Sequence, residues 1–169
     1  MVWKPDVTVA AVVERDGRYL LIEEHVRDRV VINQPAGHLE TNETLIDAVI
    51  REALEETAWT FVPEAVSGIY LWSQPDRNMT FMRVAFAGHV TQHHPERRLD
   101  RGIRRALWLS REEVVQRQNS LRSPMVLQCI DDHRRNVRHP LSLLTHMLSH
   151  VKPVGTKSAK EAVSVRVEP

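Results

Sequence analysis

At 169 residues, with 42% hydrophobic and 27% charged residues, the chain has the size and composition of one soluble globular domain. A formal net charge of +1 supplies no wholesale attraction to nucleic acid or to a membrane surface, so an anionic ligand must be held by a local arrangement. The single cysteine, Cys129, excludes an internal disulfide and a thiolate zinc cluster, and it reads as a small buried hydrophobe on a helix.

The opening "MVWKPDVTVA" lacks the long apolar core of a signal peptide, and no run of about eighteen apolar residues occurs without a charge. A soluble, unexported, cytoplasmic protein is expected. The β-branched run "VTVAAVV" (7–13), the turn "RDG" (15–17) and "RYLLIEEH" (18–25) predict a hairpin. In "VVINQPAGHLE", Pro35 and Gly37 mark irregular backbone ahead of a helix. Thr41 or Asn42 is the expected N-cap, Glu43 falls in the first turn, and apolar positions 45, 46, 49, 50, 53 and 54 predict a helix ending near Thr57. Segments 59–74 and 78–91 read as strands around a turn "PDRN" (75–78), and 104–110 as a short strand. Ser110 with Glu113 has capping-box spacing, and 123–136 reads as a helix with Ser123 as cap and Pro124 at its first position. Strands, one prominent helix, more strands and a late helix predict a single α/β sandwich with a mixed sheet over about residues 1–150. Residues 151–169 lack a core stripe and are expected to form a flexible tail.

The helix ends in "REALEETAW" (51–59), with three glutamates at 52, 55 and 56. Leu45, Val49, Glu52 and Glu56 follow i, i+4, i+7, i+11 spacing, so two of the carboxylates share the face that begins apolar. Their mutual repulsion is aggravated by the negative end of the helix dipole. A divalent cation would remove the conflict; oxygen-only donors suit Mg²⁺ or Mn²⁺, and magnesium is held by few carboxylates together with substrate phosphates. On these three residues alone, a solvated glutamate face paired with arginines is the other reading.

The spacing from Gly37 through Glu43, Arg51, Glu52, Glu55 and Glu56 to Trp59 resembles the Nudix box, with Ala58 in place of the usual glycine. Ala58 would cost about 1 kcal/mol if the left-handed helix end is kept. The resemblance implies a Nudix-type α/β/α sandwich with a loop-helix-loop box. It implies that Glu52, Glu55 and Glu56 bind the metal, with Glu52 also able to act as base. The Gly37 carbonyl would be a further ligand, and Arg51 would pair with Glu43 to orient the box, with Asp47 as a second partner for Arg51. "KPDVTVAAVV", "NQPAGHLE" and "SLRSPMVLQCIDDHRRNVRHPL" resemble the NudJ phosphatase subgroup of that family over about residues 3–145.

That likeness implies metal-activated water attack on nucleoside tri- and diphosphates or on hydroxymethylpyrimidine or thiamine diphosphate, releasing orthophosphate. The alternatives are release of pyrophosphate from nucleoside triphosphates, cleavage of dinucleotide derivatives, or a catalytically silent binding module. Small-molecule diphosphates, not nucleic acid or membrane, are the expected partners; the oligomeric state stays open. Gln34 and His38 beside the box, and Asp100 as a carboxylate from outside it, are candidates to meet substrate. The arginines at 97, 98, 101, 104 and 105 read as a solvated face, "QHHP" (92–95) as an exposed loop, and Tyr70, Trp72 and Phe81 as core more readily than as base-stacking surfaces.

Overall fold

The computed structural model describes residues 3–74 and 78–147. The expected turn at 75–78 falls mostly outside them, as does the expected tail.

Strand β1 (Asp6–Arg15) turns into β2 (Arg18–Val26) through Asp16 and Gly17, both at positive φ (52° and 75°). Asp-Gly is the pair that tolerates such a two-residue hairpin loop, and the Gly17 N–H donates to Glu14 Oε1 at 2.5 Å. Two strands follow that the sequence does not announce. β3 (Arg29–Asn33) pairs antiparallel with β2, and β4 (Ala36–His38) pairs antiparallel with β1, Val9 opposite Gly37. Gly37 therefore lies in sheet, whereas Pro35 occupies the irregular bend between β3 and β4. The proline only shortens the pairing, and its carbonyl accepts from Ala11 N at 2.9 Å.

The long strands β5 (Trp59–Gln74) and β6 (Met79–His93) pair antiparallel, and β6 lies parallel to β1 on the side away from β4. β7 (Ile103–Ser110) joins β2, and the short β8 (His139–Pro140) joins β5. Among the described residues the order is β3-β2-β1-β6-β5-β8, with β4 on β1 and β7 on β2: a mixed sheet, as expected.

Side chains of β1 alternate. Val9, Ala11 and Val13 pack with Val49 and Ala53 of helix α1 (Leu45–Thr57). Ala10 and Val12 pack instead with Val114 of α2 (Arg111–Gln116) and with Val126, Cys129 and Ile130 of α3 (Met125–Arg134). Both faces of the sheet are thus covered, which is the α/β/α sandwich the resemblance implied. Cys129 is fully buried, as expected.

Helix ends are set partly by residues other than those expected. Neither Thr41 nor Asn42 caps α1: Asn42 sits at φ 64° in a turn, and the Thr44 hydroxyl accepts from Asp47 N at 3.0 Å. Thr44 Oγ1 donates in return to Asp47 Oδ2 at 2.6 Å, so Asp47 serves the cap and not Arg51. The Ser110–Glu113 capping box forms. Ser123 does not cap α3; its buried hydroxyl has no protein partner, and Pro124 holds the cap position.

Ala58 takes the left-handed conformation (φ 58°, ψ 20°), and its N–H donates to Leu54 O at 3.0 Å. An alanine there costs about 1 kcal/mol or more, partly offset by burying its methyl group. Ala58→Gly is expected to raise stability by about 0.5–1 kcal/mol in urea denaturation, with activity unchanged.

Candidate active site

Helix α1 is placed by its apolar stripe on the sheet, and the same rotation carries Glu52 and Glu56 inward beside β4. Their relative exposures are 9% and 8%. The backbone at Gly37 abuts the Glu52 carboxylate so closely that a β-carbon there would overlap it. Glycine at 37 is dictated by this approach and not by its own φ.

Arg51 braces the group. Its Nε and Nη2 donate to the two oxygens of Glu43 at 2.7 and 3.0 Å, a bidentate fork. Its Nη1 donates to Glu52 Oε1 at 2.7 Å and Glu55 Oε2 at 3.1 Å, and Nη2 also reaches His38 O at 3.1 Å. The arginine holds Glu43 well below the ordinary carboxylate range and is itself pushed up by its carboxylate partners. Glu43 also accepts from Glu40 N, so the loop before α1 is tied to the helix.

One cation does not neutralise this cluster. Glu56 accepts from Ala36 N at 2.8 Å, yet burial, with the nearby charges of Glu52, Glu24 and Asp100, raises its pKa to about 9. Burial raises Glu52 as well, against the opposing pull of Arg51. Among the described residues no three acidic, histidine or cysteine groups converge into a ready cation cage. Arg51 draws Glu52 and Glu55 to itself, while Glu56 turns to the β4 backbone. The donor set nevertheless fits a hard cation: it is all oxygen, Glu52 and Glu56 are buried, and it carries more negative charge than its one arginine offsets.

Ionisation of Glu56 in the metal-free chain has a definite sign. The folded state keeps its proton up to about pH 9, whereas the unfolded chain loses it near 4.5, so the unfolded state binds fewer protons in between. Stability is therefore greatest below about pH 4.5 for this group and falls as pH rises towards 9. Thermal melts at pH 6 and pH 8.5 without a divalent cation are expected to show that fall.

The carboxylates open into a cavity of about 760 Å³ that Gly37, His38 and Asp100 also line. Asp100 is brought there by its N–H, which donates to Glu55 O at the end of α1 at 3.0 Å. His38 is exposed at the cavity edge. Gln34 is not at the cavity surface: it is buried, donates to Val126 O at 2.7 Å and accepts from Arg83 Nη1 at 3.1 Å. Its expected contact with substrate is corrected to a role behind the wall.

The arginines at 97, 98, 101, 104 and 105 are exposed and away from the cavity, Arg105 pairing with Glu23. His93 stacks on Trp59, and His94 Nε2 lies 2.9 Å from Thr60 Oγ1, an outer-surface arrangement with no metal character. Cavity residues that escape a sequence reading include Thr8, Glu24 and Arg83. The available signal for Arg83 is its phase on β6, where 79, 81, 83 and 85 share the face that should be apolar. Trp72 and Phe81 line the cavity too, although their alternation reads as core.

Comparison with known proteins accords with this geometry. The NUDIX domain model matches residues 3–129. The chain is 39% identical over 142 residues to Phosphatase NudJ of Escherichia coli strain K12, covering 84% of this chain and 92% of that one. A NUDIX hydrolase structure from Nitrosomonas europaea superposes with a TM-score of 0.83 at 47% identity, covering 85% of this chain and 97% of that chain. The MutT protein of Methanosarcina mazei Go1, at 22% identity and a TM-score of 0.65 over 80% of this chain and 99% of that one, shares the fold. The chain belongs to the Nudix hydrolase family.

Proposed function

We propose that the chain, as one catalytic domain over about residues 1–150, is a Mg²⁺-dependent phosphatase of nucleoside tri- and diphosphates. Hydroxymethylpyrimidine or thiamine diphosphate belongs to the same substrate class. The observation that carries this reading is the buried pair Glu52 and Glu56, set against the Gly37 backbone and opening into the cavity. Glu52, Glu55, Glu56 and the Gly37 carbonyl would hold the cation, Mg²⁺ or Mn²⁺. When bound, it neutralises phosphate oxygens and lowers the pKa of a water.

The protein groups do the rest. Glu52, released from Arg51, takes the proton of the attacking water. Arg51 keeps Glu43 and the preceding loop in register, a positioning role. Asp100, held at the end of α1, adds a carboxylate to the same side of the cavity and repels any anion not accompanied by a cation. The release of orthophosphate follows the NudJ likeness. A catalytically silent module is disfavoured by the intact glutamates, because a pure binder has no use for so costly a cluster. No helix among the described residues is long and apolar enough to cross a membrane; a cytoplasmic setting is part of the same proposal.

Incubation with GTP and Mg²⁺, with phosphate detected in the absence of added pyrophosphatase, tests the reading. Orthophosphate is expected as a direct product. Pyrophosphate as the sole product would instead establish the pyrophosphohydrolase alternative.

A further inference from the structure

Strand β5 has one paired edge and one open edge. β6 pairs with it from Trp59 to Gln74, whereas on the other side β8 meets only Ala65 and Val66, so among the described residues no strand faces the outer edge of 68–74. Pairing with β6 is regular from Ile69 to Gln74, and a regular edge with free amides and carbonyls is a template for another strand. The two faces of this stretch differ. Ile69 and Leu71 are 59% and 68% exposed on the face they share with Val84 and Met82 across the sheet, while Trp72 and Gln74 line the cavity on the other. Val84 packs in the cluster under α1, so the exposed pair lies on the α1 side of the sheet, beyond what that helix covers.

The described chain ends on this same side. Leu141 and Leu144 pack against the α1 cluster, and His146 Nε2 accepts from Leu45 N at 3.3 Å at the start of the helix. Residues 148–162 supply a tether that spans up to about 50 Å when extended, more than enough to reach any point on β5. Beyond it, Val163, Val165 and Val167 alternate with Ser164, Arg166 and Glu168 before Pro169. β-branched residues at a period of two are strand chemistry, with one apolar face and one polar face.

We propose that residues 162–167 add to the open edge of β5 as a further strand of the same molecule, with Val163, Val165 and Val167 on the face of Ile69 and Leu71, and Ser164 and Arg166 on the cavity side. The alternation fixes this register: a slip of one residue would set Arg166 beside the exposed apolar pair and turn the valines to the polar side. Added in this way, the segment satisfies the open backbone groups of β5 and takes apolar surface on both strands out of water. The tether keeps the contact within one molecule, because it holds the strand at an effective concentration of about millimolar, above that of a second copy in dilute solution. Part of the segment expected to be a free tail thereby closes an edge that would otherwise invite association.

The proposal uses no catalytic group, and its test needs no turnover. Amide hydrogen exchange of the full chain is followed by NMR at a low and a high protein concentration. Amides of 163–167 are expected to exchange at least about tenfold more slowly than in a synthetic peptide of residues 161–169, at both concentrations. Val165→Asp, at the centre of the valine face, and Leu71→Lys, at an exposed position, should each erase that protection. Val165→Asp should also speed exchange of the outward amides of 69–73 while leaving those of β2 and β7 unchanged. Melting curves check that Leu71→Lys folds; if it does not, Val165→Asp, outside the packed body, decides. Peptide-like exchange at 163–167, protection that survives in the folded variants, or edge amides indifferent to Val165→Asp overturns the proposal. So does protection that appears only at the higher concentration together with a dimer mass by light scattering, which would make a second copy the occupant.

Discussion

Glu56→Gln is expected to reduce turnover on the order of a thousandfold while raising the thermal stability of the metal-free chain. The two effects have one cause. Glu56 is 8% exposed, satisfied on one oxygen by Ala36 N–H, and surrounded by Glu52, Glu24 and Asp100. Without a cation, folding at neutral pH must protonate it at a cost in stability; as glutamine it keeps the acceptor for Ala36 and takes up no proton. Loss of a ligand to the proposed cation should remove several kcal/mol of transition-state stabilisation, hence the rate factor. Glu52→Gln should cost a comparable factor, but with less gain in stability because it also weakens the bond from Arg51 Nη1. Paired steady-state rates and melting temperatures check both. A variant that loses activity together with its fold would indicate a structural carboxylate.

Gly37→Ala is the other large expected effect. The new methyl group would occupy the volume of the Glu52 carboxylate, and the β4 backbone has little freedom to retreat because Val9 and Gly37 are paired across the sheet. The carboxylate must move, breaking its bond with Arg51 and leaving the position from which it can face a cation. Turnover should fall by about a hundredfold or more, as displacements near 1 Å at a reacting group do, with a stability loss of about 1–3 kcal/mol from overpacking. Weaker apparent Mg²⁺ affinity in the rate titration distinguishes this from simple unfolding. Unchanged rates would remove the close approach from the account.

Much of this arrangement is legible in the sequence because it is local. The spacing that puts Glu52 and Glu56 on the row of Leu45 and Val49 is helix geometry, and the Asp16-Gly17 turn is hairpin chemistry; both survive whatever packs around them. Short elements were less legible. β4 has three residues and follows a proline, so only its pairing with β1 makes it a strand. The cap of α1 is not legible from residue type, since Thr41, Asn42 and Thr44 are all competent. The decision falls to Asp47, three residues after Thr44, which completes the exchange with its hydroxyl. Arg83 is the least local of these features. Its meaning depends on Asn33 and Gln34, 50 and 49 residues earlier in the chain, arriving beside it with no carboxylate among its hydrogen-bond partners.

The central claim is that the glutamates of α1 hold a cation on which hydrolysis depends. Isothermal titration of Mg²⁺ into the metal-free chain at pH 7.5, run in two buffers of different ionisation enthalpy, addresses it directly when turnover is titrated alongside. Since Glu56 is held protonated to about 9, binding should release about one proton per cation. Turnover should rise over the same Mg²⁺ range, and both signals should be lost in Glu56→Gln. Turnover that persists in excess chelator, or Mg²⁺ binding unaffected by that substitution, would contradict the account.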